Sequence, residues 1–408
     1  MNTKYKNLKL ACYTVGLSMS VVGNLPPLLF LTFRSMYGIS YSLLGLLVLI
    51  NFFTQLIVDL IFSFFSHKFN ISKTVKFTPV LTIIGFLIYA VYPYIFTQNI
   101  YIGLIIGTIV FSASGGLAEV LISPVIAAIP SDDPDREMSK LHSAYAWGVV
   151  FIILISTIFI LAFGAQNWQI LVFLFILIPL TSVTLFSKTQ IPQMQTPEKV
   201  SGALRMLKNK TLWICVGAIF LGGAAECTMA QWASGYLEQA LKIPKVWGDI
   251  FGVALFGLML GFGRTLYAQR GKNITRVLLL GAIGATICYL TAAITALPLL
   301  GLIACAFTGF CTSMLWPGSL IVASDQLPNG GVFIFAMMAA GGDLGASIGP
   351  QLIGIIADAT INSQAAIALS QNLGLEPEQL GMKFGMLIGM LFPLIAIPLY
   401  YHIMKTHK

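Results

Sequence analysis

The chain has 408 residues, of which 57% are hydrophobic and 9% are charged, whereas about a quarter of the residues of a soluble protein are charged. This composition excludes a soluble globular domain, a disordered chain and a fibrous repeat. A helix that crosses a bilayer needs about 20 apolar residues, so twelve crossings with short connections fit this length. The composition predicts an all-α membrane protein that crosses the bilayer many times.

The formal net charge of +8 does not indicate a nucleic-acid-binding protein. The Lys and Arg residues lie in short clusters between apolar segments, and no basic stripe with interleaved aromatic residues is present. The four His show no metal-ligand spacing, and no phosphate-binding Walker loop occurs, so neither an enzyme nor an ATP-driven pump is expected. We expect no cofactor, no metal and no nucleic-acid partner. The six cysteines lie inside apolar segments and are expected to be packing residues: Cys12, Cys215, Cys227, Cys288, Cys305 and Cys311.

Apolar segments between helix breakers predict twelve membrane-spanning helices, with ends accurate to a few residues. In chain order they cover residues 9–33, 41–66, 75–97, 100–128, 141–163, 167–187, 212–240, 247–269, 273–296, 298–324, 331–358 and 380–404. The longest polar stretch between spans, the predicted linker 188–211, divides the chain into a six-helix half at 1–187 and another at 212–408.

The distribution of basic residues predicts the orientation of the spans. Eighteen Lys and Arg lie on the side of the two termini and four on the opposite side, with Arg264 inside a span. The four are Arg34, Lys242, Lys245 and Lys383. The positive-inside rule therefore predicts a multi-pass protein of the cell inner membrane, with both termini and the linker in the cytoplasm.

An internal repeat supports the division into two halves. In the fourth span and the loop after it, a Gly, a Pro and an Asp follow one another at intervals of eight, and a second Gly comes sixteen residues later; the same pattern recurs from the tenth span. The two sets are Gly116, Pro124, Asp132 and Gly148, and Gly309, Pro317, Asp325 and Gly341. Two repeated six-helix halves, with an aqueous site at their interface, are the architecture of an alternating-access transporter.

Ionisable residues inside the membrane are costly, so each one requires a reason. Four acids lie well inside spans, and all four are candidates for proton coupling: Asp59, Glu119, Glu226 and Asp343. The one comparable base, Arg264, cannot pair with all of them; it either extends to the interface or pairs with Asp343 or Glu226. Glu119 is the best candidate, because burial favours the neutral form of a carboxyl group and hydration releases the proton.

Polar and aromatic side chains inside the spans predict a solute site. Asn51, Gln55 and Asp59 follow at i, i+4 and i+8 and so share one helix face. Aromatic faces beside amides and acids suit a sugar, whose C–H faces stack while its hydroxyls need hydrogen-bond partners. The alternative for each residue is ordinary packing or interhelical hydrogen bonding. The predicted substrate-binding residues are Asn24, Asn51, Gln55, Tyr145, Trp147, Gln231 and Trp316.

Four segments resemble the major facilitator superfamily, and within it the branch of the fucose and other hexose:proton symporters. The fourth span, Gly115-Gly116-Leu117-Ala118-Glu119-Val120-Leu121-Ile122-Ser123-Pro124, is similar to the Gly pair, Glu and Asn-Pro of that branch. The segment from Glu226 to Trp232 resembles its seventh span. Trp316-Pro317 and Gly341-Gly342-Asp343-Leu344-Gly345 resemble its tenth and eleventh spans. The resemblance implies that Glu119 takes part in proton-coupled sugar binding. Where the branch has an acid in its first span, this chain offers Asn24.

These observations predict a secondary active transporter that works by alternating access, with proton-coupled symport of a small polar solute such as a monosaccharide. The alternative is a proton-antiport exporter of drugs or amphipathic metabolites, because membrane acids serve that function equally well. The expected partners are the solute, the lipid bilayer and a proton or a sodium ion, since both cations prefer oxygen ligands. One chain suffices for function, so a monomer is expected.

Overall fold

A computed structural model describes residues 5–65, 68–130, 134–192, 207–327 and 331–406, and within these ranges the chain forms helices and no strands. The first helices are α1 (Lys6–Leu28), α2 (Phe30–Tyr37), α3 (Tyr41–Phe65), α4 (Ile71–Ile95), α5 (Ile100–Ala127), α6 (Pro134–Phe163) and α7 (Trp168–Ser187). A 3₁₀ turn, Ala165–Asn167, precedes α7. The later helices are α8 (Lys210–Leu241), α9 (Lys245–Trp247), α10 (Leu255–Arg270), α11 (Ile274–Ile294), α12 (Pro298–Thr312), α13 (Leu315–Gln326), α14 (Gly331–Ile361), α15 (Gln364–Asn372) and α16 (Pro377–Thr406).

Most of these helices can cross a membrane. Eleven spans in the described part of the chain are long and apolar enough to do so, and a shorter apolar stretch, Trp147–Phe163, adds a twelfth. The predicted all-α, multi-pass fold is therefore confirmed.

Two predicted spans are interrupted, each beside proline. The predicted span 9–33 ends as α1 at Leu28, the residue after Pro27, and α2 begins at Phe30. The predicted span 298–324 is split into α12 and α13, and Pro317 lies at the start of α13. Proline has no backbone N–H and cannot donate to the carbonyl four residues earlier, so it weakens the helix at that point.

Two further features differ from the predicted spans. The connection after the eleventh span contains a short helix, α15, whose N-terminus is capped by the Ser363 hydroxyl. Between α9 and α10 the chain forms a π-helix, Gly248–Ala254. Such turns are rare and contain one more residue than the corresponding α-helical turn.

The chain divides into two units with separate interiors. The first unit comprises residues 1–26 and 50–202, and the second comprises residues 27–49 and 203–408. The core of the first unit includes Leu8, Val125 and Phe186, whereas that of the second includes Ile219, Ala282 and Tyr400. The division into halves at 1–187 and 212–408 around a 188–211 linker stays a prediction.

Glycines of the internal repeat lie at close helix contacts within each unit. A Cβ atom at Gly116 of α5 would lie 3.0 Å from Asp59 Oδ1 on α3. A Cβ atom at Gly309 of α12 would lie only 2.2 Å from the carbonyl oxygen of Phe256 on α10. In the predicted numbering of spans, the fourth span packs on the second as the tenth packs on the eighth.

The second glycine of each repeat also lies at a close contact between two helices. A Cβ atom at Gly148 of α6 would lie 2.5 Å from Ser20 Oγ on α1, and one at Gly341 of α14 would lie 2.8 Å from Val216 Cγ1 on α8. The fifth span thus packs on the first as the eleventh packs on the seventh. The repeat in sequence corresponds to a repeat in packing, although Asp132 lies outside the described residues.

Candidate functional site

The polar stripe of α3 faces α5 inside the first unit. The side-chain oxygen of Asn51 accepts hydrogen bonds from Gln55 Nε2 at 3.1 Å and from Ser112 Oγ at 2.5 Å. All three side chains are buried. Gly115 lets α5 approach closely, since a Cβ atom there would lie 3.0 Å from Gln55 Oε1. The predicted common face of Asn51 and Gln55 therefore forms a hydrogen-bonded polar group between two helices.

Asp59 and Glu119 form a carboxyl pair one turn further along the same two helices. A carboxylate oxygen of each lies within 4.8 Å of one from the other. Asp59 is buried, whereas the side chain of Glu119 is solvent-accessible. Two negative charges at this distance would repel by about 3.5 kcal/mol at an effective dielectric constant of 20.

The aromatic candidates of the first unit lie on α6. Tyr145 and Trp147 are 40% and 69% exposed, so both rings are accessible. Ser20 of α1 donates its hydroxyl to the carbonyl oxygen of Tyr145 at 2.8 Å, which holds the start of this apolar stretch against α1. Asn24 lies one turn beyond Ser20, and its amide donates to the Ser20 carbonyl oxygen at 2.9 Å.

In the second unit, Arg264 of α10 pairs with Glu226 of α8. Its Nη2 lies 3.0 and 3.3 Å from the two carboxylate oxygens, and its Nε donates to the carbonyl oxygen of Ser313 at 3.1 Å. The sequence left Glu226 and Asp343 open as partners. The Ser313 carbonyl is available because Pro317, four residues later, has no N–H to donate to it. The helix break at Pro317 thus creates the acceptor that orients Arg264.

The remaining candidates of the second unit are more enclosed. The ring of Trp316 lies over two glycines, since a Cβ atom at Gly223 or Gly342 would lie 2.9 or 2.5 Å from it. Asp343 is buried on α14 and Gln231 on α8. These positions are consistent with packing, and the substrate role of each stays a prediction.

Trp232, the last residue of the segment that resembles the seventh span, is buried and packs against other aromatic rings. It is 1% exposed, and its indole N–H donates to the carbonyl oxygen of Pro350 at 2.9 Å. Its ring packs against Phe30 and Tyr41, with centroid distances of 5.4 and 6.0 Å.

Three groups that make polar contacts in the structure were not identified from the sequence. Ser112 binds Asn51, the Ser313 carbonyl binds Arg264, and Asp358 binds backbone N–H groups of α3. Ser112 was recognisable in part, because it lies on one helical face with Gly116 and Glu119 at spacings of four and seven residues. The other two depend on partners distant in sequence.

Comparison with known families identifies the fold. The Major Facilitator Superfamily profile matches residues 11–350. The chain belongs to the Major Facilitator Superfamily. Members of this superfamily are membrane transporters that bind small-molecule substrates and often protons. No curated protein matches the chain in sequence.

Solved structures agree in fold at low sequence identity. A bacterial homologue of the human lysosomal transporter Spinster, in an inward-facing and occupied conformation, is 12% identical with a TM-score of 0.73, over 100% of this chain and 98% of the other. An autoinhibited POT family peptide transporter is 11% identical with a TM-score of 0.71, over 97% and 96%. The fucose:proton symporter of E. coli is 14% identical with a TM-score of 0.60, over 96% and 99%. At such identities the likeness shows the fold alone.

Proposed function

We propose that this superfamily member is a secondary active transporter that works by alternating access and imports a small polar solute, such as a monosaccharide, together with a proton. The observation that carries the proposal is the Asp59–Glu119 carboxyl pair beside the Asn51–Gln55 amides. The pair supplies a proton site, and the amides beside it supply hydrogen-bond groups for hydroxyls.

The proton step requires only this pair. When the pair holds a proton, the protonated carboxyl is a hydrogen-bond donor for the solute, and the repulsion between the two acids is removed. When the site opens to the side of lower proton concentration, the repulsion between the two acids favours loss of the proton. The solute then loses its hydrogen-bond donor and leaves. Glu119, the accessible member of the pair, exchanges the proton with water, whereas the buried Asp59 supplies the charge that drives its release.

Solute recognition is assigned to the polar and aromatic residues that the sequence predicts. Asn51 uses its side-chain oxygen for Gln55 and Ser112, which leaves its amide N–H groups as donors for a solute hydroxyl. The accessible rings of Tyr145 and Trp147 on α6 offer apolar faces for the C–H face of a sugar. Asn24, Gln231 and Trp316 complete the proposed substrate set, with Glu226 and Asp343 as further proton-coupling candidates and Arg264 as the ion-pair partner of Glu226.

The proposed orientation in the membrane rests on the distribution of basic residues. The proposed protein lies in the cell inner membrane with both termini in the cytoplasm, as the Lys and Arg distribution predicts. One chain carries both units, so the proposed functional form is a monomer.

The test is proton movement in proteoliposomes that contain a pH-sensitive dye. The liposomes are challenged with hexoses, 6-deoxyhexoses and cationic dyes in turn. We expect a sugar to drive a proton flux in its own direction, and we expect Glu119→Gln to abolish it. The matched control is Glu376→Gln, the same substitution at an exposed side chain that pairs with Lys242. This control is expected to keep the wild-type flux.

Two results would contradict the proposal. A wild-type flux in Glu119→Gln would exclude the carboxyl pair as the proton site. A flux driven only by cationic dyes, and opposite to the movement of the dye, would identify a proton-antiport exporter instead.

A further inference from the structure

Two cysteines meet between neighbouring helices of the second unit. The side chains of Cys288 on α11 and Cys311 on α12 are hydrogen-bond partners. All six cysteines lie in the described part of the chain as free thiols. We name Cys288 and Cys311 the thiol pair. Neither residue belongs to the sets proposed above for the solute or for proton coupling.

Two glycines of α11 bring the helices close enough for this contact. A Cβ atom at Gly281 would lie 2.5 Å from the carbonyl oxygen of Cys311, and one at Gly284 would lie 2.7 Å from the Cys311 sulfur. Residues 281, 284 and 288 are spaced by three and four, so they lie on one side of α11. Cys311 therefore packs against a glycine-lined groove of α11, and Cys288 lies one turn further along that groove.

Thr308 of α12 also contacts Cys288. The two side chains are hydrogen-bond partners, and Thr308 lies three residues before Cys311, so both face the same side of α12. The Thr308 hydroxyl donates to the carbonyl oxygen of Ala304 at 2.7 Å, which leaves the hydroxyl oxygen as an acceptor for Cys288. The Cys288 side chain is thus positioned by two successive groups of α12.

The spacing and the burial of the thiol pair suit a metal ion that binds sulfur. A Zn–S bond is about 2.3 Å long and the ligands are tetrahedral, so two sulfurs on one zinc lie about 3.8 Å apart, within reach of two thiols in contact. Thiolates favour soft and borderline metal ions over hard ones. Cys288 is buried and Cys311 is half-buried, so the thiol pair has one enclosed side and one accessible side.

We propose that the thiol pair binds one divalent thiophilic metal ion, of the class of Zn²⁺ and Cd²⁺, and that the ion joins α11 to α12. Each thiol loses its proton and forms one metal–sulfur bond, so two protons leave as the ion binds. The two thiolate charges cancel those of the ion. The complex is therefore neutral, as the free thiol pair is, and no uncompensated charge is buried. The site requires no particular solute or coupling ion.

The test is the binding of Cd²⁺ to purified protein in lipid nanodiscs. Binding is followed by the ultraviolet charge-transfer absorption of the Cd–thiolate bond and by proton release into a weakly buffered solution. The test protein keeps only Cys288 and Cys311, and the other four cysteines are replaced by alanine. The matched control keeps only Cys215 and Cys227, which are likewise one buried and one half-buried thiol of the second unit. These two lie twelve residues apart on α8, about 18 Å along the helix, so they cannot share one ion.

We expect the test protein to bind one Cd²⁺ per chain and to release two protons, and we expect the control to show no thiolate absorption at the same Cd²⁺ concentration. In the native background, Cys288→Ser and Cys311→Ser are each expected to weaken Cd²⁺ binding at least about tenfold, since loss of even an indirect partner of a metal has an effect of that size. Cys215→Ser is expected to leave binding unchanged.

Three results would overturn the proposal. Equal absorption in the test protein and the control would show that Cd²⁺ binds any thiol of this chain. The absence of absorption from a test protein that keeps the wild-type melting temperature would exclude the thiol pair. If the alanine substitutions lower the melting temperature, the serine variants in the native background decide, and binding as tight in Cys288→Ser and Cys311→Ser as in the wild type would exclude the site.

Discussion

Arg264 and Glu226 form a partly buried ion pair whose geometry is set by a proline. The guanidinium donates to both carboxylate oxygens through Nη2, while its Nε binds the Ser313 carbonyl that Pro317 leaves without a helical donor. The side chain of Glu226 is 13% exposed and that of Arg264 is 42% exposed. The acid is therefore the more enclosed member of the pair.

Removing one member of this pair is expected to cost more than removing both. Arg264→Gln leaves a shielded carboxylate without its cation, whereas Glu226→Gln/Arg264→Gln leaves two neutral amides that can bind each other. We expect the single substitution to lower the apparent melting temperature by about 2–4 °C, since a partly exposed pair contributes about 1 kcal/mol. The double substitution is expected to recover most of this loss. A double variant less stable than Arg264→Gln, measured by thermal unfolding in detergent, would contradict the prediction.

Asn51 is expected to contribute more to stability than Ser112, although each takes part in the same hydrogen bond. Asn51→Ala removes the acceptor of two buried donors, whereas Ser112→Ala removes one donor and leaves the Gln55 bond intact. A buried polar group without a partner costs about 1–3 kcal/mol. Thermal unfolding of the two variants is expected to rank Asn51→Ala below Ser112→Ala. The reverse order would show that Gln55 does not depend on Asn51.

Gly309 and Gly261 provide opposite tests of glycine in membrane helices. A methyl group at Gly309 would meet the Phe256 carbonyl, whereas one at Gly261 would have no atom within 4 Å. We expect Gly309→Ala to cost about 1–3 kcal/mol, because the two helices must separate. Gly261→Ala is expected to be neutral or to gain up to about 1 kcal/mol, the helix preference of alanine over glycine. Apparent melting temperatures measure both, and equal losses at the two positions would contradict the prediction.

Lys383 is expected to stabilise the C-terminal end of α11. It is buried on α16, and its ammonium group donates to the carbonyl oxygen of Thr295, the residue that follows α11. A cation at a helix C-terminus is favourable by up to about 2 kcal/mol in a partly buried position. We expect Lys383→Met to lower the apparent melting temperature by several degrees and Lys383→Arg to lower it less. If Met and Arg had equal effects, shape rather than charge would account for the contribution.

The fold and the polar faces could be predicted because they depend on composition and periodicity. Runs of about 20 apolar residues between breakers define the spans, and a spacing of four residues places Asn51, Gln55 and Asp59 on one face of α3. The repeated glycines could also be recognised in the sequence. Their spacing recurs because each lies at a close contact between two helices. The break in the tenth span follows from Pro317, but the sequence alone does not mark where a proline ends a helix and where it is tolerated, as Pro350 is within α14.

The sequence could not show which helix each polar face meets. The hydrogen bond between Asn51 and Ser112 joins residues that are 61 positions apart in sequence. The hydrogen bond between Ser42 and Asp358 joins residues that are 316 positions apart. Residues 27–49 were assigned with the first six helices because chain order was the only information available. Their contacts with α8, α14 and α16 depend on tertiary packing, which no local pattern encodes.

The π-helix at Gly248–Ala254 has a consequence for Arg264, ten residues beyond its end. Each residue of an α-helix turns the chain by about 100°. The additional residue of the π-helix therefore sets the rotational position of all of α10 relative to α9. If one residue of this segment were deleted and regular helix restored, Arg264 would turn by about 100° about the axis of α10, away from Glu226. The ion pair thus depends on an irregularity in a neighbouring segment as much as on the two residues that form it.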